Sequence, residues 1–282
     1  MVFLIVSLVL GGMVFLAGVS LNSYIFFVAV CRLERTASAL WFLNQAMADL
    51  IFIIFLPLRC ISIVIPDLEW AKKVSSAFTS LHMFCSAFFL TALSVDRCIL
   101  VACPAWARNH RTPHLAFRVV LGTWVLSGGF SLRYSDLWES LHSPANTSMN
   151  FQLGFQERVK AAIAIQFLVG FLIPLALILI PTFYIVLACK LRRNRLIRST
   201  KPLKILLGLI PTFFLCWLPY HVFSFLLISA KYPQPLLDMG SGFAWVLTYF
   251  SSCLNPIFYL TMEEEFLRYR QRARNLQTTE NS

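Results

Sequence analysis

The chain has 282 residues, 58% of them hydrophobic and only 13% charged, with a formal net charge of +11. A soluble globular domain carries about twice that share of charge, so the composition excludes an ordinary water-soluble protein. The basic residues do not cluster on one compact domain, as nucleic-acid binding would require; they fall in short gaps between apolar runs, which is the pattern of membrane topology.

Each apolar run is long enough to cross a hydrocarbon slab of about 30 Å as a helix rising about 1.5 Å per residue. The first, Val2–Val30, begins at the initiator Met. It is too long for a signal-peptide core and has no basic residue before it, so a spanning helix with almost no outer tail is expected. Asn22 is the amide of its inner half. The second, Ser38–Ile65, holds LNQAMADL, and Pro57 is expected to kink it. Its carboxylate, Asp49, lies mid-helix, where a charge is costly in lipid and marks function by default.

The third run, Val74–Cys103, organises the rest. Near its end stand Asp96 and Arg97, followed at once by the basic stretch CPAWARNHRTPH. An interfacial pair snorkelling outward is one reading of these charges, and the basic stretch weighs for a functional pair instead. Run four, Leu115–Leu137, carries Trp124 and leads to Asn146-Thr147-Ser148, a glycosylation acceptor. Run five, Ala161–Cys189, carries Pro174 and Pro181; run six, Leu203–Ala230, carries Pro211 and Pro219; run seven, Leu236–Leu260, ends in LNPIFY. Proline in a spanning helix frees a carbonyl and bends the helix, which suits helices that move against one another.

After Met262 the chain is too polar to span. Phe266, Leu267 and Tyr269 alternate with Arg268, Arg270, Arg272 and Arg274, predicting a short amphipathic helix on the inner leaflet. The expected fold is therefore an all-α membrane protein: a seven-helix domain over 1–261 and an amphipathic helix with a short tail over 262–282. Seventeen of the 24 Lys and Arg residues lie on the side of the C-terminus, which places that end in the cytoplasm and the N-terminus outside. The eight cysteines lie mostly inside apolar runs and read as free thiols. No nucleophile–base pair, metal-ligand spacing or phosphate loop supports an enzyme.

Together, Asn22, LNQAMAD ending at Asp49, Asp96-Arg97-Cys98, Trp124, Pro174, Cys216-Trp217-Leu218-Pro219 and Asn255-Pro256-Ile257-Phe258-Tyr259 resemble the rhodopsin-like G-protein-coupled receptors in almost every span. PAWARNHRTPH, STKPLK and CWLPYHVFSF resemble the chemoattractant branch, which includes the formyl-peptide receptors and a chemoattractant prostaglandin receptor. The resemblance implies a plasma-membrane receptor that binds an extracellular peptide or lipid and activates a heterotrimeric G protein of the inhibitory class. It assigns coupling to Asp96, Arg97 and Tyr259, with Arg97 paired to Asp96 when closed and facing carbonyls of a G-protein helix when open. Asp49, Ser86, Ser251 and Asn255 are implied as a sodium site, a water cluster without an ion being the alternative. Phe213, Trp217 and Pro219 are implied as a packing switch, against the alternative of a plain aromatic core.

A ligand cavity is expected between the outer halves of helices three, five, six and seven, with Thr79, Ser80, Met83, Gln166, Tyr220, His221 and Phe223 as candidates. Of these His221 is the ionisable one. Formyl-peptide receptors carry their charged anchors at positions that here read Ser80, Ala162 and Gln166, so that ligand does not carry over. The family's outer disulfide is also not expected: Lys72 stands at one of its positions, no Cys lies between Leu137 and Arg158, and Cys60 has no evident partner. The outer loop is then either held by packing, with Trp138 as the candidate, or not held at all. Thr278, Thr279, Ser282, Ser199 and Thr200 are the few inner phosphate acceptors, so only weak arrestin recruitment is expected. A silent or decoy receptor is the alternative within this fold. A transporter is the alternative from another class, but it predicts repeats and paired broken helices that the sequence lacks.

Overall fold

The computed structural model describes residues 2–33, 36–65, 67–142, 149–191, 201–228, 233–262 and 271. These residues form α1 (Val2–Cys31), α2 (Ala37–Ile54), α3 (Leu56–Val64), α4 (Glu69–Ala102), α5 (Pro104–His110), α6 (Pro113–His142), α7 (Met149–Phe167), a π-helical turn (Leu168–Leu172), α8 (Ile173–Leu191), α9 (Lys201–Ile228) and α10 (Gln234–Met262). There is no strand among the described residues. Seven segments are long and apolar enough to cross a membrane: Leu8–Cys31, Ala37–Val64, Glu69–Ala102, Pro113–Leu132, Glu157–Leu187, Leu206–Ile228 and Pro235–Thr261. Asn146, Ser199, Thr200, the tail after Met262 and the packing of the Trp138 side chain lie outside the described residues.

Helix ends differ from apolar-run ends. The third span begins at Glu69, so Lys72 and Lys73 lie within α4. The basic stretch after Asp96-Arg97 is the short helix α5. Helix α7 starts at Met149, well before the apolar run at Ala161. The physical reason is the same each time: an apolar run records the hydrocarbon thickness, whereas a helix continues into water for as long as its backbone stays paired.

The prolines act where the sequence placed them. The second span breaks at Phe55, and Pro57 sits in the first turn of α3, where its missing N–H costs nothing. The π turn lies just before Pro174, and such a turn redistributes the pairing upstream of the ring. Pro181, Pro211, Pro219 and Pro256 lie inside their helices.

Helix α4 is central, packing on α2, α6, α8 and α9. Asn22 Nδ2 donates to the carbonyl of Ser252 at 3.0 Å, tying α1 to α10. Trp124 Nε1 donates to Asn44 Oδ1 at 3.1 Å, tying α6 to α2. Where α9 meets α10, Gly208 lies under the ring of Phe258: a Cβ there would stand 2.6 Å from its nearest ring carbon. Gly208→Ala is expected to lower the melting temperature of the detergent-solubilised protein, at about 1–3 kcal/mol for overpacking. An unchanged melting temperature would mean that the contact is slack.

Candidate functional site

Asp49, fully buried on α2, is the centre of a polar cluster. A carboxylate only accepts, so the His82 Nε2–H donates to its Oδ1, at 2.7 Å. Asn255 Nδ2 donates to Oδ2 at 2.9 Å, and Gln45 Nε2 lies 3.5 Å from Oδ1. The hydroxyls of Ser86 and Ser252 flank His82 Nε2 at 3.2 and 3.1 Å, and Gln45 Nε2 donates to Ser86 Oγ at 3.0 Å. Of the four residues expected to hold sodium, three converge here. The fourth does not: the Ser251 hydroxyl donates to the Thr248 carbonyl at 2.7 Å, and Ser252 takes its place in the cluster.

The same geometry tests the ion. A hard cation requires several oxygen lone pairs turned toward it. Here the groups turned toward Asp49 are nitrogen donors, and the imidazole stands on the carboxylate. These residues do not fit a sodium ion while His82 is so placed. His82 was missed in the sequence, although two signals were present: it is an ionisable residue inside a spanning helix, and it lies one turn before Ser86 on the same face.

Above and beside the cluster runs an aromatic column. The His82 ring stacks on Phe52 at 4.1 Å and 7°, and Phe52 stacks on Tyr249 at 3.8 Å and 15°. Tyr249 meets Trp245 edge-on at 4.7 Å, and the Arg59 guanidinium carbon lies 5.1 Å from the centre of the Trp245 ring. The expected switch residues join it from the side. Trp217 is fully buried, 5.8 Å from the His82 ring and 6.0 Å from Phe213.

The ligand candidates are brought together in the outer half. Gln166 Nε2 lies 3.4 Å from Ser80 Oγ. Met83 packs against Gly170 of the π turn. His221 is buried among Phe167, Phe171 and Tyr220, 5.1 to 5.5 Å between ring centres, and neither of its nitrogens has a hydrogen-bond partner. Thr79 is buried and donates to its own helix, to the Ser75 carbonyl. Phe223 lies against Gly240 of α10. His221 is not the sole ionisable group of this half, because Arg59 projects among aromatic rings there.

At the inner end the expected ion pair is replaced. Both oxygens of Asp96 are engaged by Arg111: Nε donates to Oδ1 at 2.7 Å and Nη2 to Oδ2 at 2.9 Å. The same Nη2 donates to Ser38 Oγ at 2.8 Å, so Arg111 clamps the inner ends of α2 and α4. Neighbours in sequence on a helix point about 100° apart, which favours a partner from across a loop over the adjacent Arg97. Arg97 is itself 7% exposed. Tyr259 is buried, with its ring 4.8 Å from Phe42, and lines with Gln45, Ser86, Phe213 and Asn255 a cavity of about 30 Å³, room for a water or two.

The seven cysteines whose side chains are described, Cys60 among them, are free. The family model described as 7 transmembrane receptor (rhodopsin family) matches residues 21–259. Chemerin-like receptor 1 of Homo sapiens is 34% identical over 279 residues, covering 90% of this chain and 74% of the relative. N-formyl peptide receptor 3 of Pan troglodytes is 32% identical over 287 residues, covering 93% and 81%. Seven spans, a buried mid-membrane carboxylate and an Asp-Arg pair at the inner end of the central helix agree with that match. The chain belongs to the rhodopsin family of seven-transmembrane receptors, multi-pass proteins of the plasma membrane rather than enzymes, and its relatives place it in the chemoattractant branch.

Proposed function

We propose that this chain is a chemoattractant-type receptor whose N-terminus is extracellular and which, on binding a peptide or lipid from outside, activates a heterotrimeric G protein of the inhibitory class. The observation that carries the reading is the position of Trp217. It touches Tyr220 toward the outer half, at 5.6 Å, His82 beside the Asp49 cluster, and Phe213 toward the inner cavity. A ligand that moves it has a packed route to the inner face. Pro219, two residues on, supplies the bend about which α9 can swing. In this reading Asp49 is balanced by His82, and no resident ion is needed; the 2.7 Å contact supports it.

The test is nucleotide exchange by a purified inhibitory-class heterotrimer on the receptor in nanodiscs, with conditioned media from activated leukocytes and lipid extracts as the ligand source. Acceleration that depends on the added fraction supports the reading. Its absence from a folded receptor, with every G-protein class tried, supports the silent alternative instead. One observation favours that alternative: Lys72 lies on α4 where the relatives' resemblance implies a disulfide, and Cys60 is free.

The Arg111 clamp has its own consequence. It holds α2 to α4 only while the inner end is closed, so it stabilises the resting state. Arg111→Ala is expected to raise ligand-independent exchange by about threefold to tenfold, the range for losing a part-exposed charge-assisted pair. Basal exchange equal to that of the unaltered protein would show that the clamp does not distinguish the two states.

A further inference from the structure

Arg59 is a cation inside a spanning segment, in the first half of α3, the outer part of the second span. Such a charge is costly unless it meets an anion, water or an aromatic face. Among the described residues, Asp49 faces His82, Asp96 faces Arg111 and Glu157 faces Lys160, and no carboxylate reaches Arg59. Its guanidinium lies over the ring of Trp245, and its Nε is buried without a hydrogen-bond partner. Beside it the Tyr249 hydroxyl and the Trp245 indole N–H are also buried without partners. Among the described residues, three donors from α3 and α10 thus gather in one outer corner with no carboxylate to accept from them. A buried donor left unmet costs about 1–3 kcal/mol, and more when charged, so a cluster of this kind is built for an acceptor that arrives later.

We propose that Arg59 anchors the anionic group of the extracellular ligand, a carboxylate in the corner between α3 and α10, with the Trp245 indole and the Tyr249 hydroxyl as its neighbours. The guanidinium fork suits a carboxylate bidentately, and the indole face suits an apolar group attached to it. This anchor is built on α3 and α10, whereas Ser80 and Gln166, which stand where the formyl-peptide receptors carry charged residues, lie on α4 and α7. Its location also gives the charge a consequence. Arg59 caps the column of Trp245, Tyr249 and Phe52 that ends on His82, so a carboxylate that draws the guanidinium off the indole loosens the packing above the Asp49 cluster.

The proposal rests on the chain being a ligand-binding receptor, but its test needs neither a G protein nor the natural ligand. Purified receptor in nanodiscs is titrated with phenylacetate and, separately, with the neutral isostere phenylacetamide, and binding is read from the melting temperature and from tryptophan fluorescence. Phenylacetate is expected to bind and stabilise, and phenylacetamide is not. Arg59→Gln is expected to weaken phenylacetate about tenfold or more, and Arg59→Lys to retain part of the affinity, since a point charge remains without the fork. Lys160→Gln, which removes an exposed cation paired with Glu157 away from this corner, is expected to leave it unchanged. Equal stabilisation by acid and amide, an Arg59→Gln variant that binds phenylacetate as well as the parent, or no response of the parent to phenylacetate would each overturn the anchor. Should Arg59→Gln not fold, the Arg59→Lys titration and the acid–amide difference decide. A receptor that binds phenylacetate yet never accelerates exchange would keep the anchor and refute signalling.

Discussion

Replacing His82 by alanine is expected to cost about 3–5 kcal/mol of stability in sodium-free buffer, because it leaves the buried Asp49 carboxylate without its closest partner. Adding sodium should then restore a large part of the loss. Removing the ring vacates space between the carboxylate and the Ser86 and Ser252 hydroxyls that flanked the imidazole nitrogen, which leaves oxygens that a hard cation accepts. The unaltered receptor should show no difference between sodium and choline at equal ionic strength, since the imidazole occupies that space. The measurement is the melting temperature of purified protein against sodium concentration, for the parent, His82→Ala and His82→Ala combined with Asp49→Asn. Sodium dependence is expected only in the single variant. A parent stabilised by sodium as strongly as the variant would show that ion and imidazole coexist, and the substitution of one for the other would be refuted.

The second large effect concerns Arg97. It is buried at the inner end of α4, beside the Asp96 carboxylate that Arg111 engages. If its fork meets the carbonyls of a G-protein helix, truncation removes a desolvated, charge-assisted contact worth about 2–5 kcal/mol, or about thirtyfold or more in productive coupling. Arg97→Ala should therefore reduce ligand-dependent nucleotide exchange to near the receptor-free level, while phenylacetate binding at the outer corner persists. Arg97→Lys should fall between the two, because a lysine keeps the charge but not the planar fork. Exchange that survives Arg97→Ala in a receptor with unchanged surface expression would remove this residue from the coupling face.

Both expectations depend on pairings that a sequence states poorly. A buried carboxylate announces that a partner exists, but its identity is a matter of which faces of separate helices meet. Ser251 and Ser252 illustrate the limit. They differ by one position, which is a rotation of about 100° about α10, and that rotation alone sends one hydroxyl back to its own helix and the other to His82. Bends at Phe55 and at the π turn before Pro174 set such rotations, and no local pattern reports their size.

By itself the sequence determined the seven spans, the central place of the third, the carboxylate at Asp49, the Asp96-Arg97 pair and the Trp217-to-Pro219 segment of α9. Each of these is local: it is written in the length of an apolar run, in a charge that lipid would penalise, or in a short ordered motif. Only the tertiary structure decided that His82 stands on Asp49, that Arg111 closes on Asp96 from across a loop, and that Arg59 comes to rest on Trp245. Those three depend on contacts between residues 15 to 186 positions apart, made across helix faces whose rotation is set by the packing of the whole bundle.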